Sequence, residues 1–200
     1  MLVFWKERLV FLAMPKTGTT ALEGALAPRA DMVFRNPPEI KHAALYRYRR
    51  RVLPLLEAAG GSDFETMAVL REPVSWLSSW YRYRHRDDLA HDPRSTRGIS
   101  FDDFVRAYLD DSPPPYANIG SQSRFVANPD GSVGVTHLFR YESPIELADF
   151  LSRRLGQALP ALPYRNVSPQ METSLSPGLL ALLRDRHAAE FTLWEQAGAR

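Results

Sequence analysis

Short apolar runs along the chain alternate with stretches of helical periodicity, and polar or glycine-bearing turns separate them. The first clear unit covers residues 8–21, RLVFLAMPKTGTTA. Its stretch 9–14 is an unbroken apolar run, of a length and branching suited to a strand buried on both faces. Pro15 stops that run, Lys16-Thr17-Gly18-Thr19-Thr20 makes a hydroxyl-rich turn, and Ala21, Leu22, Ala25 and Leu26 then recur at helical spacing.

The rest of the chain repeats this theme. Residues 32–34 predict a short strand, ended by Asn36-Pro37-Pro38, which holds the chain extended. Residues 41–53 have a helical pattern rich in arginine (Arg47, Arg49, Arg50, Arg51), with a kink or restart at Pro54 and an end at Gly60-Gly61. A second buried strand, 64–70, runs into Arg71-Glu72-Pro73, and Pro73 suits the first turn of a helix over 73–86. That helix carries Trp76, Trp80, Tyr81 and Tyr83 beside Ser75, Ser79, Arg82 and Arg86, and the polar stretch 87–98 reads as a mobile loop. Ser100 is placed to cap the next helix, with Asp102 and Asp103 in its positive first turn.

Asn128-Pro129-Asp130-Gly131 is a turn, 133–141 a strand, and Ser143-Pro144-Ile145-Glu146 a capping box opening a further helix. A proline-punctuated stretch, 159–171, separates it from a last helix starting at Ser176-Pro177. No repeat, low-complexity tract or domain boundary is visible. Strands alternating with helices predict one α/β domain with a mostly parallel sheet, helices on both faces, and a ligand site beyond the carboxyl ends of the strands. The first loop, Lys41-His42 and Arg71 all belong at that end.

Composition narrows the chemistry more than the fold. Of the 200 residues, 44% are hydrophobic and 24% charged, as in ordinary soluble domains. The net charge of +2 is too small to indicate a nucleic-acid partner. With no cysteine, disulfides, thiol nucleophiles and thiolate zinc sites are excluded, and a reducing compartment is consistent. The five histidines have no HExxH-type spacing, so no metal site is expected. Lys6, Glu7 and Arg8 split the apolar N-terminal region, which therefore does not read as a signal peptide, and no run approaches the roughly 20 apolar residues of a membrane span. The expectation is a soluble, cytoplasmic protein.

A strand, a glycine turn and a helix N-terminus together form an anion cradle of free main-chain N–H groups, the positive helix end and a lysine. The loop does not fit GxxxxGK[ST], because Lys16 precedes the single glycine, and an ordinary nucleotide-hydrolysing P-loop is a poor match. A solvated lysine in a plain strand-to-helix turn would look the same. Arg71, at a strand end before a proline-initiated helix, can grip a phosphate with its forked guanidinium, and Ser79 follows in line with Ser75 and Arg82. A strand-end arginine paired to a neighbour, with a small helix residue packing on the sheet, remains the alternative.

Taken together, PKTGTT after an N-terminal strand and R-x-P followed by the S-x-Y of Ser79 and Tyr81 resemble the PAPS-dependent sulfotransferases. The likeness is closer to the carbohydrate-type and bacterial members than to the small-phenol enzymes, whose glycine-bearing segment near the C-terminus is not visible here. Tyr141-Glu142 and Asn166-Val167-Ser168 also look like family features. The resemblance implies a P-loop-like three-layer α/β fold in one domain over residues 1–200. It also implies sulfuryl transfer from 3′-phosphoadenosine 5′-phosphosulfate (PAPS) to a hydroxyl or amine, with a small-molecule or carbohydrate acceptor.

By that resemblance Lys16, Thr17, Gly18, Thr19 and Thr20 hold the phosphosulfate end, and Arg71 and Ser79 hold the 3′-phosphate. Lys16 stabilises the leaving group, and His42, where relatives carry a catalytic His or Glu, is the base. Glu39 is the reserve base and Glu23 a distant one. Lys41 and Gln122 are candidates for the acceptor side, while Arg165, Asn166 and Ser168 could close over the 3′-phosphate. Two rival functions stay open: a P-loop nucleotide or small-molecule kinase, and a non-catalytic protein that binds the product nucleotide PAP.

Overall fold

The computed structural model describes residues 1–156 and 171–198. In chain order the elements begin with β1 (Leu2–Phe4), β2 (Leu9–Phe11), α1 (Thr19–Leu26), β3 (Met32–Val33) and α2 (Pro38–Lys41). Next come α3 (Leu45–Arg47), continuing through a π-helical turn into α4 (Leu53–Ala58), then β4 (Glu65–Leu70), α5 (Pro73–Arg84) and α6 (Phe101–Tyr108). The series closes with α7 (Gln122–Val126), β5 (His137–Arg140), α8 (Pro144–Leu155), α9 (Pro177–Arg186) and α10 (Ala188–Gln196). The described residues fall into two compact units, one of residues 1–71, 122–156 and 196–198 and one of 72–121 and 171–195.

The first unit is an α/β layer structure around a five-stranded mixed sheet of order β3-β1-β2-β4-β5. β2, β4 and β5 run parallel, whereas β1 is antiparallel to both β2 and β3. Four of the five strands therefore point the same way, as expected of a mostly parallel sheet, and β1 alone runs against them and makes the sheet mixed. Lys6, Glu7 and Arg8 do not merely interrupt an apolar N-terminal region; they turn it. Only Trp5–Arg8 separates β1 from β2, which is far too short for the crossover a parallel pair needs, so the two runs pair as a hairpin. Arg8 takes a left-handed φ of 50° in that turn.

The run from Leu9 to Met14 is fully buried. Leu9, Phe11 and Ala13 share a core with Leu22 and Leu26 of α1 and with Leu147, Leu151 and Leu155 of α8. Val10, Leu12 and Met14, on the alternate face, are equally buried, as expected for a strand covered on both sides. The helix predicted over 41–53 is broken. α2 ends at Lys41, His42 leaves helical geometry (φ −103°, ψ 39°), and α3 starts only after an extended Ala44. Pro54 sits in the first turn of α4, as read. Ser143 makes no side-chain cap, so α8 begins on the fixed φ of Pro144 and not on a capping box.

The second unit is helical. Trp76, Leu77 and Tyr81 of α5 pack with Phe101, Phe104, Val105 and Tyr108 of α6, Leu179 and Leu183 of α9 and Phe191 of α10. Ser100 Oγ accepts from the Asp103 N–H at 3.1 Å, the predicted cap of α6. The stretch expected to be mobile is pinned at Thr96, which is 0% exposed. Its hydroxyl donates to the Tyr81 carbonyl at 2.8 Å and its N–H to the Arg84 carbonyl at 3.2 Å. The last helix is two, because His187 breaks it at φ −118°, ψ 34°. No helix among the described residues is long and apolar enough to cross a membrane.

Candidate functional site

The loop between β2 and α1 owes its shape to two left-handed residues, Lys16 (φ 69°) and Gly18 (φ 74°), on either side of Thr17. A side chain at such a φ is disfavoured, so Lys16 is held there by its surroundings. Part of that hold is Thr17, 1% exposed, whose hydroxyl donates to the Met14 carbonyl at 2.9 Å and closes the turn on itself. The Gly18 carbonyl then accepts from the N–H groups of Ala21 and Leu22 at 3.0 and 3.2 Å, starting α1. The first amides of α1 have no carbonyl partner within the helix, and with the helix dipole they make its N-terminus electropositive. Thr19 is buried and Thr20 exposed at that end.

Gly18 is required twice over. Besides its φ, a Cβ placed on it would lie 3.0 Å from Cε2 of Tyr141. Tyr141 follows β5, and its N–H donates to the Leu70 carbonyl at 2.7 Å. Its ring also carries the Arg71 guanidinium, with Cζ 4.6 Å from the ring centroid. Arg71, at the carboxyl end of β4 and only 8% exposed, donates from Nη1 to the Lys16 carbonyl at 3.3 Å. Tyr141 and Arg71 therefore brace the loop from two neighbouring strand ends.

Gln122, read from sequence as an acceptor-cleft residue, is 1% exposed and engaged with main chain. Its Oε1 accepts from the Arg71 N–H at 2.9 Å and its Nε2 donates to the Arg71 carbonyl at 2.8 Å. This pair replaces the strand neighbour that Arg71 lacks beyond the end of β4 and fixes where its side chain starts.

His42 approaches from the break after α2. Its Nδ1 lies 2.6 Å from the Ala13 carbonyl, two residues before Pro15. A carbonyl only accepts, so this contact assigns the proton to Nδ1 and leaves Nε2 with a lone pair. Burial pushes the imidazole below its ordinary value, outweighing the upward pull of its bond to Ala13. The positive charges of Lys41 and the Met1 amino group add to the lowering, and Glu23 opposes it. Lys41, the other acceptor-side candidate, pairs with buried Glu23 at 2.7 Å. Glu39 is exposed in the first turn of α2.

The first unit therefore brings together Lys16, Thr17, Gly18, Thr19, Thr20, Lys41, His42, Arg71 and Gln122. Ser79 belongs to the second unit, buried in the middle of α5, and Tyr81 in that unit is a core residue whose hydroxyl donates to Ile99. Arg165, Asn166 and Ser168 lie outside the described residues. Two arginines outside the loop are engaged within their own units. Arg49 donates to Asn128 Oδ1 and the Gly134 carbonyl, and buried Arg84 donates to the carbonyls of Pro115 and Asn118. The role of Tyr141 as the ring beneath Gly18 and Arg71 was not read from sequence, although its place just after a parallel strand was the available signal. The chain matches no family model, no curated protein and no solved structure in comparisons with each.

Proposed function

We propose that this chain is a PAPS-dependent sulfotransferase, a single catalytic domain on a P-loop-like three-layer fold that moves a sulfuryl group to a hydroxyl or amine. One observation carries the reading: the base candidate and the guanidinium both bind carbonyls of the short segment that leads into α1. His42 reaches Ala13 and Arg71 reaches Lys16, so an electropositive helix end, a lysine, an arginine and a neutral imidazole converge on one loop. The glycine cradle suits an anion, since the loop bears hydroxyls, amides and a lysine but no carboxylate. The resemblance in PKTGTT and in R-x-P with S-x-Y supplies the identity of that anion.

PAPS, when bound, supplies an activated sulfuryl group on a phosphate leaving group. In this reading residues Lys16 to Thr20 and the first amides of α1 hold its 5′ end, and Arg71 holds its 3′-phosphate. His42 takes the acceptor proton on Nε2 while its Nδ1–H stays on the Ala13 carbonyl, which also steadies the imidazolium that results. The Lys16 ammonium neutralises negative charge that develops on the departing phosphate oxygen. The acceptor class we favour is a carbohydrate, and the absence of cysteine supports a cytoplasmic setting.

The test is incubation with sulfur-labelled PAPS and a pool of hydroxyl and amine acceptors. Label should move, and Lys16→Ala and His42→Ala should each lower the rate by about 10²- to 10⁴-fold. Binding of PAP without any label transfer would assign the chain to the non-catalytic class instead. Stabilisation by ATP with magnesium and indifference to PAP would overturn the reading in favour of a kinase.

A further inference from the structure

Glu23 is the one acidic group that the site buries and the proposed reaction does not use. It lies on α1, one turn beyond the anion loop, and is 6% exposed. Its Oε2 meets Lys41 Nζ at 2.7 Å, while Oε1 is buried with no hydrogen-bond partner among the described residues. A buried carboxylate satisfied on one oxygen only is an expensive way to join two helices, and apolar side chains of similar volume would do it at least as well. Lys41 is gripped at both ends, since its carbonyl also accepts from the Met1 amino group at 2.9 Å. The next residue in the chain is His42. Three ionisable groups act on that imidazole: Lys41 from its own segment, the Met1 amino group ahead of β1, which burial lowers to about 6, and Glu23 from α1. Glu23 is the only negative one of the three.

We propose that Glu23 is a positioning residue for His42: through Lys41 it ties the segment bearing the base to the helix that rises from the anion loop, and neutralises the lysine beside the imidazole. The inference rests on the sulfotransferase reading for its consequence in catalysis, but not for the tie itself. Without Glu23 the base keeps its bond to Ala13, yet the Lys41 ammonium stands uncompensated next to it and the two ends of the site lose a common anchor.

The experiment follows the His42 ring by NMR, assigned by its loss in His42→Gln, alongside label-transfer kinetics. In Glu23→Gln the His42 titration should move to lower pH by about 0.5–1 unit, a 3- to 10-fold loss of proton affinity. The acid limb of kcat/KM should move with it, and kcat should fall about tenfold with the KM for PAPS within twofold. In Glu23→Gln/Lys41→Met both charges are gone, so the titration should return to the wild-type position while kcat stays low. A titration unmoved in Glu23→Gln, or a wild-type kcat in the double variant, overturns the proposal. If Glu23→Gln does not fold, the double variant decides alone, by kcat loss at a wild-type titration or by wild-type kcat. If no acceptor takes label from the wild-type protein, the sulfotransferase reading fails, and the titration of Glu23→Gln still decides whether Glu23 acts on His42.

Discussion

Arg71 Nη1 donates to the Lys16 carbonyl across 3.3 Å, which ties the end of β4 to the loop that follows β2. These strands are parallel neighbours, with Phe11 opposite Met67, so both chains leave the sheet at the same edge. The bond converts a shared edge into a shared site. It also holds Lys16 in a left-handed conformation that its side chain disfavours.

Replacement of Arg71 should therefore weaken anion binding at this site. If the guanidinium holds a phosphate through charged hydrogen bonds, Arg71→Ala should weaken PAP binding by about 1.5–3 kcal/mol, roughly 10- to 150-fold in Kd. Arg71→Lys should recover only part of this, because an ammonium neither stacks on Tyr141 as a plane nor presents a fork. Calorimetric titration with PAP measures both. Equal affinity in Arg71→Ala would move the phosphate contact to another residue.

Gly18→Ala tests the cradle. The methyl group meets a left-handed φ and the Tyr141 ring together, and we expect a stability loss of about 1–2 kcal/mol with abolished donor binding. Adding Tyr141→Leu removes the contact but not the φ penalty, so the double variant should regain only part of the stability. Thermal and urea unfolding separate the two contributions. Full recovery in the double variant would show that the φ of Gly18 is of no consequence.

Gln122 makes a more severe prediction. Gln122→Leu keeps the volume but leaves the Arg71 N–H and C=O buried without their partner, at about 1–3 kcal/mol each. Gln122→Glu still accepts from the N–H but faces the carbonyl with a second acceptor, so it should be no better than Leu at neutral pH. Urea unfolding of the two variants measures the cost, and a loss under about 1 kcal/mol for Leu would mean that the pair contributes little beyond packing.

These residues also show what the sequence discloses. The buried run 9–14 and Arg71 at the end of 64–70 were legible, because apolar runs ending in one polar residue are how parallel strands reach a site. The β1–β2 hairpin was not, since Lys6, Glu7 and Arg8 resemble an interruption until their number is compared with the length of a crossover. Nor was the helix break at His42 legible. Lys41, Ala43 and Ala44 all suit a helix, and the contact that accompanies the break, from His42 to Ala13, spans 29 residues. Gln122 and Tyr141 act on main chain and on a glycine, partners that leave no compositional mark. Glu23 was visible only as a distant carboxylate, because its meaning depends on Lys41.

The pH dependence of the reaction follows from His42. Its folded value is held below the ordinary histidine value of about 6.5, chiefly by burial, so the imidazole remains a competent base in mildly acidic solution. The acid limb of kcat/KM should then fall below pH 6.5, and His42→Gln should remove the limb along with most of the rate. The same shift couples to stability with a definite sign. Between the folded value and about 6.5 the unfolded chain binds the proton and the native state does not, so acid favours unfolding. The contribution of His42 to stability is complete above about pH 6.5, declines as pH falls through that value, and stops changing once the folded imidazole is itself protonated. His42→Gln should remove its share of this slope, measured by urea unfolding between pH 7.5 and about 5, while His187 and the Met1 amino group, both also lowered by burial, keep theirs. An acid limb at or above 6.5, or an unchanged slope in His42→Gln, would show that another group governs the acid side.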